Sequence, residues 1–391
     1  MNLNILNTEI QEFISKHLNS NVTSLLLKGT SFDGVETKDI IEQIEAKQRC
    51  LKKLPNWFNT NNIYFPNKLN IEQTSSEITA EYKSNLISGD SIIDLTGGFG
   101  IDCYYFSKRF NEVTHCEINT MLSGIVNHNY KQFDVNNIET LNIDGIEYLK
   151  SGNKNFDWIY IDPSRRNDSK GKVFFLKDCL PNVPKHLDIL FEASKNILIK
   201  TSPLLDISVG VNELQFVKTI HIIAVNNEVK ELLWLLEEGF NGNIQIETIN
   251  IKKDTDENFR FILNEGQNEV QYNEPLSYLY EPNAAILKSG GFEEVSNKLN
   301  VFKLHQHSHL YTSNEPIDFP GRRFKIEEII NYNKKELKQL GIKKANVTTR
   351  NFPESVQQIR NKLRIKDGGD IYLFFTTDLN NLKIVVICKK A

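Results

Sequence analysis

The run Ser91-Ile-Ile-Asp-Leu-Thr-Gly-Gly-Phe-Gly-Ile-Asp102 constrains the fold of this chain more than any other stretch. An apolar β-type segment ends in an acid, passes through a glycine-rich turn and enters a helix-like segment. That grammar builds a nucleotide-binding βα turn in a parallel sheet. The glycines do not fall as G-x-G-x-x-G. They read Asp94-x-Thr96-Gly97-Gly98-x-Gly100. An acid just ahead of the glycines disfavours a pyrophosphate ligand, because two anions would face each other.

Beyond the turn, strands and helices alternate. Ile92–Asp94 reads as a strand, 101–110 as a helix, 113–117 as a strand, 120–131 as a helix, 138–143 as a strand and 145–149 as a short helix. Then come a strand at 156–161, a helix at 176–193, strands at 196–200 and 216–224, a helix at 228–236, and a closing hairpin at 244–251 and 259–263. Such alternation predicts an α/β fold with a Rossmann-like, doubly wound parallel sheet. Residues 1–80 read as a helical N-terminal region, with Thr74-Ser-Ser-Glu77 as a capping box opening a helix towards Leu86. Residues 81–268 form the expected Rossmann-like domain and 269–320 a turn-rich connecting segment. Residues 321–391 read as a small α+β domain: helix 326–340, strand 346–349, helix 353–363, and strands 371–376 and 382–388.

In such sheets ligands bind outside the carboxyl ends of the strands, so those ends carry the candidate residues. At the first, Asp94, Thr96, Gly97, Gly98 and Gly100 let the backbone approach a ligand and offer amides to a carboxylate. At the second, Glu117 lies 23 residues after Asp94, placed for a ribose diol. At the third, Asp144 suits an adenine amine, an N-cap for the helix at 145–149, or both. The fourth reads Tyr160-Ile-Asp162-Pro163-Ser164-Arg165-Arg166, where the proline projects the acid out of the strand end and two arginines line the mouth. Lys200-Thr-Ser-Pro203 reads either as a pocket lip or as an ordinary turn. A ligand with ammonium and sulfonium charge suits this acidic set, which points to S-adenosylmethionine and a methyltransferase. Asp162 would orient an amine or accept its proton, and methyl transfer would then need mainly alignment.

Other features narrow the class. The chain has 391 residues, 40% hydrophobic and 25% charged, which suits a globular protein of two or three domains. No apolar run approaches the ~20 residues that span a bilayer, so no membrane partner is expected. The N-terminus lacks a secretory pattern. Five scattered cysteines form no C-x-x-C pair, and a reduced, cytoplasmic setting is expected. His305, His307 and His309 would share one face of a strand, either as a metal site or as a polar face; without an acid or cysteine at ligand spacing, the polar face is expected and no metal. Residues 321–391 hold 16 Lys and Arg against 7 Asp and Glu, a balance of +9, whereas the first 320 residues carry 30 against 43, or −13. Such asymmetry fits an anionic partner at one end, or a solvated basic surface.

The ordered set Asp94-x-Thr-Gly-Gly-Phe-Gly, Glu117, Asp144 and Asp162-Pro-Ser-Arg resembles class I S-adenosylmethionine-dependent methyltransferases over residues 75–265. The resemblance implies Asp94, Gly98 and Gly100 at the methionine end, Glu117 at the ribose and Asp144 at the adenine. Asp162 and Pro163 occupy the place of the family's catalytic Asp/Asn-Pro-Pro-aromatic tetrapeptide, which acts on amino groups. Ser164-Arg165 replaces Pro-aromatic, so Asp162, Pro163 and Arg165 form the expected catalytic set. Asn346-Val-Thr-Thr-Arg-Asn-Phe-Pro-Glu-Ser-Val and Leu363-Arg-Ile-Lys-Asp-Gly-Gly-Asp-Ile-Tyr-Leu-Phe look like the THUMP-like domain at the C-terminus of certain bacterial methyltransferases, and the segment before them resembles their ferredoxin-like insert. The resemblance implies RNA as substrate. A small-molecule or protein methyltransferase, or a catalytically silent RNA-binding module, are the rival readings.

Overall fold

The computed structural model describes the chain apart from residues 153, 166–174, 266–268, 334–336 and 338, and the side chain of Arg165. It divides into two compact units, Met1–Val217 with Trp234–Asn241, and Lys218–Leu233 with Gly242–Ala391.

The first unit opens with helices, as expected. They are α1 (Thr8–Lys16), α2 (Val22–Lys28), α3 (Thr37–Lys53), α4 (Pro55–Asn59), α5 (Lys68–Gln73) and α6 (Glu77–Leu86). Helix α3 buries Ile40, Ile41, Ile44 and Cys50 along one stripe. Pro55 supplies the first residue of α4, where its missing N–H costs nothing. The cap of α6 lies two residues beyond the expected one. The Ser76 side chain, not that of Thr74, accepts from the Thr79 amide, and Glu77 is the first helical residue.

Strands and helices then alternate: β1 (Ser91–Asp94), α7 (Ile101–Phe106), β2 (Glu112–Cys116), α8 (Thr120–Gln132), β3 (Ile138–Leu141), α9 (Gly145–Lys150) and β4 (Trp158–Ile161). A small ribbon of β5 (Ser164–Arg165) and β6 (Cys179–Leu180) precedes α10 (Val183–Ala193), β7 (Asn196–Thr201) and α11 (Ile207–Glu213). They lead to β8 (Val217–Val225), β9 (Glu228–Glu237), β10 (Gln245–Ile251) and β11 (Glu257–Ile262). The nine-stranded sheet runs β3-β2-β1-β4-β7-β9-β8-β10-β11. Strands β3, β2, β1, β4 and β7 are parallel neighbours. All four residues of β1 are buried, as parallel strands covered on both faces require.

Two expectations in this region are corrected. The helix read over 176–193 begins only at Val183. Residues 176–178 form a 3-10 turn and Cys179–Leu180 pair with β5, because Pro181 disfavours a helical residue before it and Pro184 fits only the first turn. The helix read over 228–236 is strand β9. Asn226 and Asn227 both take positive φ, 50° and 65°, the geometry of a two-residue hairpin turn. Glu231, Leu232, Leu233 and Trp234 of that strand are all buried in the sheet.

The second unit, which already holds most of β8 together with β10 and β11, continues with β12 (Tyr278–Pro282), α12 (Ala284–Ser289), α13 (Phe292–Leu299), β13 (Phe302–Lys303), β14 (Tyr311–Ser313), β15 (Gly321–Asn331), β16 (Asn346–Thr349), α14 (Val356–Leu363), β17 (Ile371–Thr377) and β18 (Lys383–Lys390). A seven-stranded sheet runs β13-β14-β12-β15-β18-β17-β16. Leu373, Phe375, Val385 and Ile387 pack with Ile359 of α14, while Phe374, Ile384, Val386 and Cys388 pack with Leu279 and Phe324. Alternate residues thus feed two cores, one on each face.

The helix read over 326–340 is overturned in its first half, where β15 continues to Asn331. A bulge between Ile326 and Glu328 shifts the register, so Ile326, Ile329 and Ile330 mimic helical spacing on an extended strand. The histidine face is also absent. Strand β13 ends at Lys303. His305 is buried between Asn351 Nδ2 (3.0 Å) and Asn381 Oδ1 (3.1 Å), and His309, at φ 51°, stacks on Phe292. Among the described residues no cluster could hold a metal.

Candidate active site

The glycine-rich turn joins β1 to α7, and its glycines answer to different demands. A Cβ on Gly97 would lie 2.2 Å from His115 Nε2, and one on Gly100 would lie 2.2 Å from the Tyr130 hydroxyl. Those two glycines let the protein pack against itself. Gly98 differs. Its φ is +55°, and the nearest atom to a Cβ there is the Thr96 carbonyl oxygen at 3.7 Å. Its backbone, half-buried but uncrowded on the side where a Cβ would stand, is where a ligand can approach. Burial pushes His115 down to about 4, so a neutral ring supports the turn.

Asp94 lies beneath this turn rather than over its open side. It is 2% exposed, and Oδ1 accepts from the Thr96 amide (2.9 Å) and hydroxyl (3.2 Å). Cys103 Sγ donates to Oδ2 at 3.4 Å. Burial pushes the Asp94 carboxyl up to about 7, with Asp102 and Asp162 adding to the rise and the Thr96 amide and Cys103 opposing it. The Thr96 hydroxyl also accepts, from the Asp162 amide at 2.7 Å. One hydroxyl therefore links the ends of β1 and β4.

Glu117 follows β2. Its Oε2 accepts from the Gly98 amide at 3.0 Å and its Oε1 from the Asn119 amide at 2.7 Å. Each oxygen keeps a further lone pair, as a diol would need. Burial raises this carboxyl as well. Asp144 follows β3 and caps α9, accepting from the amides of Ile146 (2.8 Å) and Glu147 (3.2 Å). Ile118 and Ile143 are 71% and 37% exposed. Asn142 Nδ2 donates to the Ile118 carbonyl at 3.1 Å, tying their two loops together. Sequence reasoning missed this apolar pair; an isoleucine beside each strand-end acid was the available signal.

Asp162 follows β4, half-buried, and its carboxylate is ion-paired with Lys200 of β7. The sequence offers this lysine only as part of a lip or turn; the structure makes it the acid's partner. Pro163, next to the acid, is buried. Ser164 is the register partner of Leu180, which is 53% exposed. The side chain of Arg165 and all of Arg166 lie outside the described residues.

Behind these ends lies a buried ionic group that the sequence did not reveal. Lys83 of α6, fully buried, reaches Asp102 Oδ1 at 3.2 Å. Ser75 and Tyr160 hydroxyls each donate to Asp102 Oδ2 at 2.8 Å. Burial alone would raise the Asp102 carboxyl; Lys83, Lys200, Ser75 and Tyr160 outweigh it and hold that carboxyl below its ordinary value. The result is a fixed, ionised floor under α7.

A model described as a ferredoxin-like domain matches residues 278–320, and one described as THUMP domain-like matches residues 321–390. The crystal structure of a protein described as a methyltransferase, from Porphyromonas gingivalis W83, matches with a TM-score of 0.88 and 32% identity, covering 99% of this chain and 98% of that one. Ribosomal RNA small subunit methyltransferase J from Francisella tularensis subsp. holarctica (strain FTNF002-00 / FTA) is 22% identical over 214 residues, 53% of this chain and 82% of the relative; the protein of that name from strain SCHU S4 / Schu 4 gives the same values. The chain belongs to the class I S-adenosylmethionine-dependent methyltransferases that carry ferredoxin-like and THUMP-like domains. Its open Gly98 backbone and the free lone pairs of Glu117 fit that cofactor.

Proposed function

We propose that this methyltransferase acts on an amino group of a base in structured RNA, with Asp162 facing the acceptor. The observation that carries the reading is the Thr96 hydroxyl, which donates to Asp94 and accepts from the Asp162 amide. It joins the turn that would hold the cofactor to the acid that would meet the substrate.

Bound S-adenosylmethionine supplies an electrophilic methyl group. The chain's own residues do the rest. Gly97, Gly98 and Gly100 shape the turn, and Gly98 presents its open backbone to the methionine end. Asp94 and Thr96 hold the turn closed, Glu117 would accept from the ribose hydroxyls, and the exposed Ile118 and Ile143 would offer apolar surface to the adenine near Asp144. Asp162 accepts a hydrogen bond from the amine and aligns its lone pair. Lys200 keeps that carboxylate in place, and Pro163 fixes its direction out of the strand. The exposed Leu180, register partner of Ser164, offers an apolar face next to the place where the related tetrapeptide carries its aromatic. An RNA acceptor is supported by the ribosomal RNA named for the Francisella relatives, by the THUMP domain-like match and by the +9 balance of residues 321–391.

The test pairs calorimetry with S-adenosylhomocysteine and transfer of labelled methyl to ribosomal RNA. Asp162→Ala should lower kcat by about 10²-fold or more while the dissociation constant for S-adenosylhomocysteine stays within a few-fold. Label entering only protein or small molecules would overturn the RNA reading. An Asp162→Ala enzyme of undiminished kcat would remove the acid's role.

A further inference from the structure

We propose that the THUMP-like domain grips the phosphate backbone of RNA through Lys344, Arg364 and Lys366, beside the C-terminal end of α14. The inference rests on the RNA reading above and names the surface that serves it.

A hollow of about 480 Å³ is lined by Gln357, Arg360, Asn361, Arg364, Ile365 and Lys366. Lys344 and Lys366 are partners across a parallel bridge. The Ala345 amide donates to the Lys366 carbonyl at 3.0 Å, and the Lys366 amide donates to the Lys343 carbonyl at 2.9 Å. The bridge sets two lysines side by side, and like charges placed so repel each other. Among the described residues, Lys343, Lys344, Arg364 and Lys366 are all exposed and none has an ion pair. The neighbouring Asp367 is taken by Arg360. Lys344, Arg364 and Lys366 therefore stand along the bridge and the hollow without a counter-charge of their own.

Backbone geometry adds an independent observation. Arg364 is the C-cap of α14 with φ 60° and ψ 40°. Glycine or asparagine adopts that left-handed conformation with least strain. An arginine is held there instead, at the rim of the hollow. The Lys344 stem lies across the turn formed by Gly368 and Gly369, whose φ values are +93° and +88°; its Cε is 3.2 Å from where a Cβ on Gly368 would be. That turn leaves room for the stem beside the bridge.

The lining chemistry selects the polyanion. Gln357 Nε2 donates to Asn361 Oδ1 at 2.9 Å, and the donors and acceptors this pair leaves over line the hollow with the cations. The one apolar lining residue, Ile365, is buried, so the hollow presents no side chain for insertion into a lipid surface. RNA phosphates fit; a bilayer does not.

The test uses the full chain, a fluorescein-labelled RNA hairpin of about twenty base pairs, and vesicles of phosphatidylglycerol. The triple variant Lys344→Gln, Arg364→Asn, Lys366→Gln keeps the left-handed cap, because asparagine tolerates it. It should weaken hairpin binding about tenfold or more at fixed salt and reduce the slope of log affinity against log salt by about three, roughly one per lost phosphate contact. Lys344→Arg with Lys366→Arg should keep both values. Lys389→Gln, which removes a lysine paired with Glu327 elsewhere in the domain, should leave the slope nearly unchanged. A wild type that binds the hairpin with a steep slope, beside a triple variant with the same slope, overturns this surface while sparing the RNA reading. A wild type with no RNA affinity overturns both. Binding to the vesicles in preference to the hairpin overturns the choice of partner.

Discussion

Asp94 is a carboxyl whose proton is poised near neutrality, because the β1 end buries it among apolar neighbours and other acids. Its folded value of about 7 lies above the ordinary 3.8. Stability from this group is therefore full below about pH 4 and is lost as the pH rises towards 7, with a slope of at most about 1.4 kcal/mol per pH unit. Asp94→Asn should flatten thermal stability across that window. In the wild type, a cationic ligand favouring the charged form should release protons on binding near pH 7. Calorimetry in buffers of different ionisation enthalpy reads that release; an equal proton count in Asp94→Asn would show that another group titrates. The strand-end acids were legible because each follows an apolar run at a predictable interval. The supporting charges were not. Lys83 looks like any lysine of an amphipathic helix, and only the fold carries it to Asp102. Lys200 was visible at its strand end, but its pairing with Asp162 depends on β4 and β7 being neighbours.

Among the elements, hairpin β8–β9 is the most instructive. Its second strand contains Glu231-Leu-Leu-Trp-Leu-Leu, a run whose periodicity cannot separate a buried strand from a buried helix. The deciding signal was Asn226-Asn227, a pair that accepts left-handed geometry. Asn226→Ala should destabilise the protein by about 1 kcal/mol and Asn226→Gly should not, because φ 50° strains alanine but not glycine. Thermal melts separate the two outcomes, and equal melting of both variants would mean that the turn does not set the hairpin. Strand β15 misled for another reason: its bulge moves the inward face by one residue partway along, a tertiary choice with no local marker. The alternating core residues of β17 and β18 were plain in sequence, because both faces bury apolar side chains.

At the scale of the whole molecule, charge is sorted along the chain, −13 over the first 320 residues and +9 over the rest. Raising salt from 50 to 200 mM should therefore cut kcat/KM for RNA by about tenfold or more. The dissociation constant for S-adenosylhomocysteine should stay within about twofold, since its contacts are local and partly buried. Parallel loss of both would place the salt effect in the fold instead. The β-α alternation over residues 92–201 was readable from sequence almost element by element. The seven-stranded sheet was not, because its strands β12 to β16 are separated by turns and short helices and find their neighbours only in three dimensions.

Thr96 carries a consequence for how such a sequence can change over generations. Its one proton goes to Asp94 and its lone pair to the Asp162 amide. Valine would match the shape and sever both links, while serine alone keeps the hydroxyl on a side chain of similar reach. Substitutions at 94 and 162 are then not independent events: a change tolerated at one position depends on what stands at the other. The two ends of the site form a single heritable character with Thr96 as its hinge.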